Sequence, residues 1–264
     1  MNYGSIKRGL KWATLSYSHI FHKHYNHLFM TTQTIKLLGE LSADVAKKYA
    51  QEWYNASPQK LANAFYRVNL DKGELYKVAA FQLPQPETLL LINSPETETL
   101  NITMGMMYNK WVPMLQGQKQ DTSQAKSMFE NCFLPEVLEE TPVLGKNNYT
   151  ATVDFNLHLI SPEFANIYVD KWKKLTYGRM AQAFHNAQES KRGEVKKRVR
   201  FYHFGEEVVK ELKAMQPEKL TVFMGCGDAE SRQHPFAFRP VIKATRKHTN
   251  VLFDFAQPCP PYCF

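Results

Sequence analysis

The chain carries a diverged second copy of one of its own segments, so its fold must be one that can be built twice. Residues 42–53 (SADVAKKYAQEW) reappear 119 positions later as residues 161–172 (SPEFANIYVDKW). At that spacing Ala46 meets Ala165, Tyr49 meets Tyr168, Trp53 meets Trp172 and Phe65 meets Phe184. The spacing then grows to 120, where residues 100–105 (LNITMG) match 220–225 (LTVFMG). It grows again to 127, where 112–116 (VPMLQ) resemble 239–243 (RPVIK). The difference places seven extra residues in the second copy, within 226–236.

The two copies read as one pattern of elements. Val45, Tyr49 and Trp53 recur at i, i+4 and i+8, as do Phe164, Tyr168 and Trp172, which predicts an amphipathic helix with an aromatic core stripe in each copy. Ser42 and Ser161 stand at N-cap positions, with Asp44 and Glu163 in the first turns and Pro162 at the first helical position. Residues 87–93 (ETLLLIN) read alone as a buried strand. Their counterpart 207–213 (EVVKELK) is helical in pattern, so a shared fold makes 87–93 a short helix, and Pro84 and Pro86 suit its start. Residues 100–104 and 220–224 read as strands, followed by second strands at 111–115 and 236–244. Each second strand contains a proline, which points to an edge or a bulge. Further expectations are a helix over 124–133, a strand over 149–159 and a third strand of the second copy over 251–255.

These elements predict an α+β fold of two diverged repeats. Each has two helices plus an antiparallel hairpin, with the helices on one face of the sheet. The units would pack about a pseudo-twofold or join their sheets. The expected organisation is a basic, His-rich arm (1–39), a first repeat (40–120), a connecting helix, linker and strand (121–160), and a second repeat with a Cys-containing tail (161–264). The linker is expected at 136–148, rich in Glu, Pro, Gly and Asn.

Composition supports a globular chain. Hydrophobic residues make up 44% and charged residues 22% of 264, with only 12 Gly, which suits neither a disordered nor a fibrous protein. Apolar runs fall far short of the ~20 residues that span a bilayer. Four cysteines do not make a disulfide scaffold, and the cytoplasm is the expected compartment. The net charge of +8 favours anionic partners. Its densest source is Lys191, Arg192, Lys196, Lys197, Arg198 and Arg200.

Candidate sites fall in single-copy segments. Cys259 and Cys263 enclose two prolines and a tyrosine, and with Cys226 or His234 from the insertion they have the donor types of a zinc site. The insertion also holds Asp228, Glu230 and Arg232; a nucleophile–base pair there requires His234 within reach of Cys226. His19, His22, His24 and His27 form a cluster in the arm that suits a transition metal only if helical. His185 and His203 flank the basic stretch and read as surface or core-edge residues. No phosphate loop, dinucleotide fingerprint or hydrolase motif is present, and Gly225-Cys-Gly227 is too short for one.

The function expected is therefore that of a non-enzymatic structural or protein-interaction module, self-assembling as a homo-oligomer or binding another protein. Phe21, Tyr25, Leu28 and Phe29 of the arm would pack on a neighbouring subunit, an expectation that an unchanged oligomer mass after deletion of 1–29 would refute. Alternatives are nucleic-acid or polyanion binding through 191–200, and a metal or thiol site at the C-terminal Cys pair.

Overall fold

Trp53 and Trp172 are both buried, and around them the two halves of the chain interlock. The computed structural model describes residues 39–69, 71–119, 131–138, 144, 159–190, 193–227, 237–254 and 257–259; for 185–190, 193–197 and 257–259 it describes the backbone only. The arm histidines and the arm aromatics lie outside the described residues. All described elements belong to the compact body Leu37–Phe264.

The first half runs β1 (Glu40–Leu41), α1 (Ala43–Asn55), α2 (Pro58–Ala64), the hairpin β2 (Tyr66–Asn69) and β3 (Glu74–Lys77), β4 (Ala80–Leu83), α3 (Gln85–Asn93), β5 (Thr99–Met107), β6 (Lys110–Gln118), β7 (Cys132–Phe133) and β8 (Glu136–Leu138). The second half runs α4 (Pro162–Lys174), α5 (Tyr177–Met180), a 3-10 turn (Gln182–Phe184), the hairpin β9 (His185–Ser190) and β10 (Gly193–Arg198), β11 (Phe201–Phe204), α6 (Glu206–Met215), β12 (Lys219–Phe223), β13 (Cys226–Gly227), β14 (Ala237–Phe238), β15 (Val241–Arg246), β16 (Thr249–Phe253) and β17 (Gln257–Cys259). The fold is α+β, with antiparallel sheets. No described helix is long and apolar enough to cross a membrane.

The larger sheets each mix strands from both halves. One is ordered β1-β7-β6-β5-β11-β17, the other β16-β15-β12-β4-β8. Strand β11 lies on β5, Phe204 opposite Leu100, and β4 lies on β12, Leu83 opposite Leu220. Outside them the same register recurs: Phe201 faces Cys259, and Ala80 faces Leu138. Each half thus lends a four-residue strand and, outside it, a three-residue strand to the other's sheet. Neither the lent strands nor the two small hairpins were expected from the sequence, where such short runs carry little pattern.

The core draws aromatic side chains from both halves. Phe65 and Phe184 stack at 4.9 Å. Around them Trp53 meets Phe184 at 5.2 Å and Trp172 meets Phe65 at 5.3 Å, both edge to face. Phe81 meets Trp111 at 4.7 Å, and Tyr202 meets Phe238 at 5.0 Å. Such aromatic pairs contribute about 0.5–1.5 kcal/mol each beyond area burial. Two satellite clusters match as well: Leu41, Ala46, Met114 and Cys132 against α1, and Ile160, Ala165, Val241 and Leu252 against α4.

Several local expectations change. Residues 85–93 are helical, as the comparison between copies required, with Pro84 at the N-cap and Pro86 in the first turn. The helix expected over 124–133 does not include Cys132 and Phe133, which form β7 between β1 and β6; residues 120–130 lie outside the description. Residues 136–138 are not linker but an edge strand on β4. In both cases a distant sheet supplies hydrogen bonds that local sequence does not announce. Of the strand expected over 149–159, only Leu159 is described, bridging Phe253. Pro113 sits inside β6 opposite Met104, where only one side of the strand is paired, since β7 reaches only Leu115 and Gln116. Phe164 is not core: it is 49% exposed, and α4 buries Ala165, Val169 and Trp172 instead.

Candidate functional site

The halves differ most in chemistry around β13 and β14. Gly225 lies under α4: a Cβ there would stand 2.2 Å from the Arg239 carbonyl oxygen and 3.1 Å from Tyr168 Cβ. Gly105 lies under α1 in the same way, 3.0 Å from the Val112 carbonyl oxygen and 3.2 Å from Tyr49 Cβ. Glycine is needed here for close helix–strand approach. Gly227 serves a second purpose, since a Cβ on it would lie 2.4 Å from Arg239 Cδ. The Arg239 side chain therefore runs flat over the strand.

From there Arg239 Nη1 reaches to 4.0 Å from Asp254 Oδ2, and its guanidinium carbon stands 5.7 Å from the Tyr168 ring centre. Asp254 is 1% exposed. Burial, and next the Asp254 charge, raises the Tyr168 phenol above its ordinary value, with Arg239 opposing. Burial raises the Tyr202 phenol much further. At the matching positions of the first half stand Phe81, Met106, Val112 and Leu134, all apolar, where the second half has Tyr202, Cys226, Arg239 and Asp254. The match of 112–116 to 239–243 had already set Arg239 against Val112, the one sequence signal for this cluster. Asp254 had none, because its counterpart follows a segment of different length.

In this cluster a buried carboxylate faces a guanidinium that is a third exposed and lies over the Tyr168 ring. Cys226 is fully buried, and its Sγ donates to its neighbour's carbonyl, Gly227 O, at 3.8 Å. Asp228, Glu230, Arg232 and His234 lie outside the described residues, so the Cys226–His234 pairing is not drawn. Cys226 pairs with Phe238 on the small sheet, whereas Cys259 pairs with Phe201 at the end of a large one. Cys263 lies outside the description. Among the described residues no group of three or more His, Cys, Asp or Glu side chains is placed to hold a metal ion. Cys132, which sequence analysis did not single out, is a buried thiol pushed up to about 12 by burial.

The basic stretch occupies the ribbon β9–β10, which pairs with no other described strand. Lys196 and Lys197 sit on β10 opposite Ala187 and Asn186, while Lys191 and Arg192 lie outside the description. Arg198 closes the C-terminus of α1, Nη1 donating to Trp53 O at 2.7 Å and Tyr54 O at 2.9 Å. Arg200 is exposed, its guanidinium 4.8 Å from the Tyr54 ring centre. Lys77 is the counterpart of Arg198: its ammonium donates to Trp172 O, Lys173 O and Leu175 O at 2.6, 2.8 and 2.9 Å, closing α4. Burial pulls that ammonium down to about 8, the Cys226 thiol opposing. A cation at a helix C-terminus also meets the negative end of the helix dipole.

His203 is a core-edge residue, its Nδ1 2.9 Å from Asn101 Oδ1, and Asn101 Nδ2 in turn donates to Gln118 Oε1 at 2.7 Å. An open groove of about 580 Å³ is lined by Glu40, Leu89, Leu90, Asn93, Pro95 and Phe133, among others. No family model, curated protein or solved structure matches the chain.

Proposed function

We propose that the chain is a non-enzymatic interaction module that self-associates, formed by two diverged repeats fused in one polypeptide. The observation carrying self-association is the ribbon β2–β3. Val68 and Leu75 face each other across it and are 54% and 66% exposed. The ribbon pairs with no other described strand. An exposed apolar cross-strand pair on a short ribbon suits contact with a second apolar surface.

The chemistry of the partly buried cations supports the non-enzymatic part. Lys77 and Arg198 cap helices of the opposite half. Arg67 donates to Ala64 O and Trp111 O, Lys110 to Tyr66 O, and Lys213 to Thr97 O. These groups hold the main chain. The test is sedimentation of the full chain and of the double variant Val68→Glu/Leu75→Glu. The expected result is an oligomer that the double variant converts to monomer; a wild-type chain that stays monomeric at tens of micromolar, roughly the range of weak association, overturns the reading.

A further inference from the structure

We infer that the junction of α1 with the basic ribbon binds single-stranded nucleic acid, with one base stacked on the plate formed by Tyr54 and Arg200. This goes beyond the self-association reading and does not depend on it. Arg198 ties the base of the ribbon to the last carbonyls of α1, and two residues later Arg200 lies over the Tyr54 ring. Tyr54 is 45% exposed. An exposed ring with a guanidinium on its face joins a stacking surface to a positive charge, the pairing that single strands recognise.

The surroundings suit a phosphate backbone. Between residues 185 and 200 stand Lys191, Arg192, Lys196, Lys197, Arg198 and Arg200 against Glu189 and Glu194. On α1 the exposed Lys47 and Gln51 share the face of Tyr54 at helical spacing, with Glu52 the neighbouring acid. The site is built on Tyr54 and Arg200, with Lys47 on the same helix face and the adjoining strand β10 carrying Lys196 and Lys197 in its sequence. Nothing comparable stands at the matching place in the other half, where Tyr54 becomes Lys173 and Arg200 becomes Ala79. The hairpin there, 66–77, sets Arg67, Lys72 and Lys77 against Asp71 and Glu74, a smaller excess than in 185–200. The Tyr54–Arg200 plate is therefore specific to one end, while positive charge stands at both, with Lys171, Lys173 and Lys174 in the last turn of α4. A duplex hides the base faces that the plate would use, so the preference is for unpaired strands.

The experiment is fluorescence anisotropy of the full chain with labelled oligouridine and oligothymidine of about 20 nucleotides and a mixed-sequence duplex of equal length, titrated with salt. Single strands are expected to bind, at least about tenfold more tightly than duplex, and to weaken steeply as salt rises. Tyr54→Ala is expected to weaken single-strand binding about tenfold with the salt slope unchanged, and Tyr54→Phe to retain it. Arg200→Lys keeps the charge but loses the flat plate, so it should weaken binding at a constant slope. Lys196→Glu with Lys197→Glu should lower the slope by about two. Melting midpoints of the variants check that the fold is kept, and Tyr54→Leu replaces Tyr54→Ala if the latter melts early. No single-strand binding at about 50 mM salt, equal binding of duplex, or full binding by both Tyr54 truncations overturns the proposal.

Discussion

The indole nitrogen of Trp53 donates to the carbonyl of Val199 at 2.8 Å, joining residues 146 positions apart. Trp172 does the same to Val78 at 2.9 Å. Each tryptophan leaves a helix of one half to satisfy a carbonyl just before the strand that the other half lends. Trp53→Phe and Trp172→Phe should each cost about 2 kcal/mol, because a buried carbonyl loses its donor. Their unfolding free energies in denaturant should fall by similar amounts. A large inequality would show that the two bonds are not equivalent.

The glycines under the helices are not equally tight. Gly225→Ala drives a methyl into a backbone oxygen, whereas Gly105→Ala meets its nearest oxygen at 3.0 Å and, closer still, the flexible end of Met114. We expect Gly225→Ala to cost about 3 kcal/mol and Gly105→Ala about 1 kcal/mol. Thermal midpoints of the two variants, measured side by side, give the order; reversal of that order refutes the packing account.

Arg239 and Asp254 replace the apolar Val112 and Leu134 of the first half. Arg239→Val alone leaves a buried carboxylate without its counter-charge and should cost about 2 kcal/mol, less than a fully buried pair because Arg239 is a third exposed. Adding Asp254→Leu to it should recover most of that loss. A double variant as unstable as the sum of the single variants would show that the charges do not act as a pair.

Two groups, half-buried Lys77 and fully buried Cys132, tilt alkaline stability in opposite directions. Lys77 has a value of about 8 in the fold against 10.5 unfolded, so the unfolded chain binds the proton more tightly and stability rises as pH climbs through that window. Cys132 has a value of about 12 against 9.0 unfolded, so the unfolded thiol ionises first and stability falls from pH 9 upward. Cys132→Ala should therefore gain on wild type above pH 9, and Lys77→Met should lose ground to wild type above pH 8. Denaturant midpoints across this range check both signs. A Cys132→Ala curve parallel to wild type up to pH 11 would sink the thiol account.

Alkylation offers a separate check on the thiols. Cys132 and Cys226 are both buried. In the native chain both should resist iodoacetamide at pH 8 and react once denaturant is added, as read by peptide mass. Rapid native labelling of either would contradict its burial.

The helices at 43–55 and 162–174 were legible because their signals are local: a serine cap, acids in the first turn and spacing that repeats. The face they bury was less so, since Phe164 fits the stripe by spacing yet points outward while Ala165 and Val169 pack. The helix at 85–93 was visible only through its partner copy, because nine residues with an apolar run do not distinguish helix from strand. The basic stretch was found by composition, but Arg198's role as a helix cap was not, because its acceptors lie 144 and 145 residues away.

What the sequence by itself determined is the α+β class and the two helices with their tryptophans, set by caps and periodicity within short windows. Only the tertiary structure decided that Ala80–Leu83 and Phe201–Phe204 cross into each other's sheets. It also decided that Cys132–Phe133 and Glu136–Leu138 are strands, and that Arg239 meets Asp254. The reason is physical. Strands of two to four residues have almost no intrinsic preference, and a charge becomes a partner only when folding brings it beside another out of water.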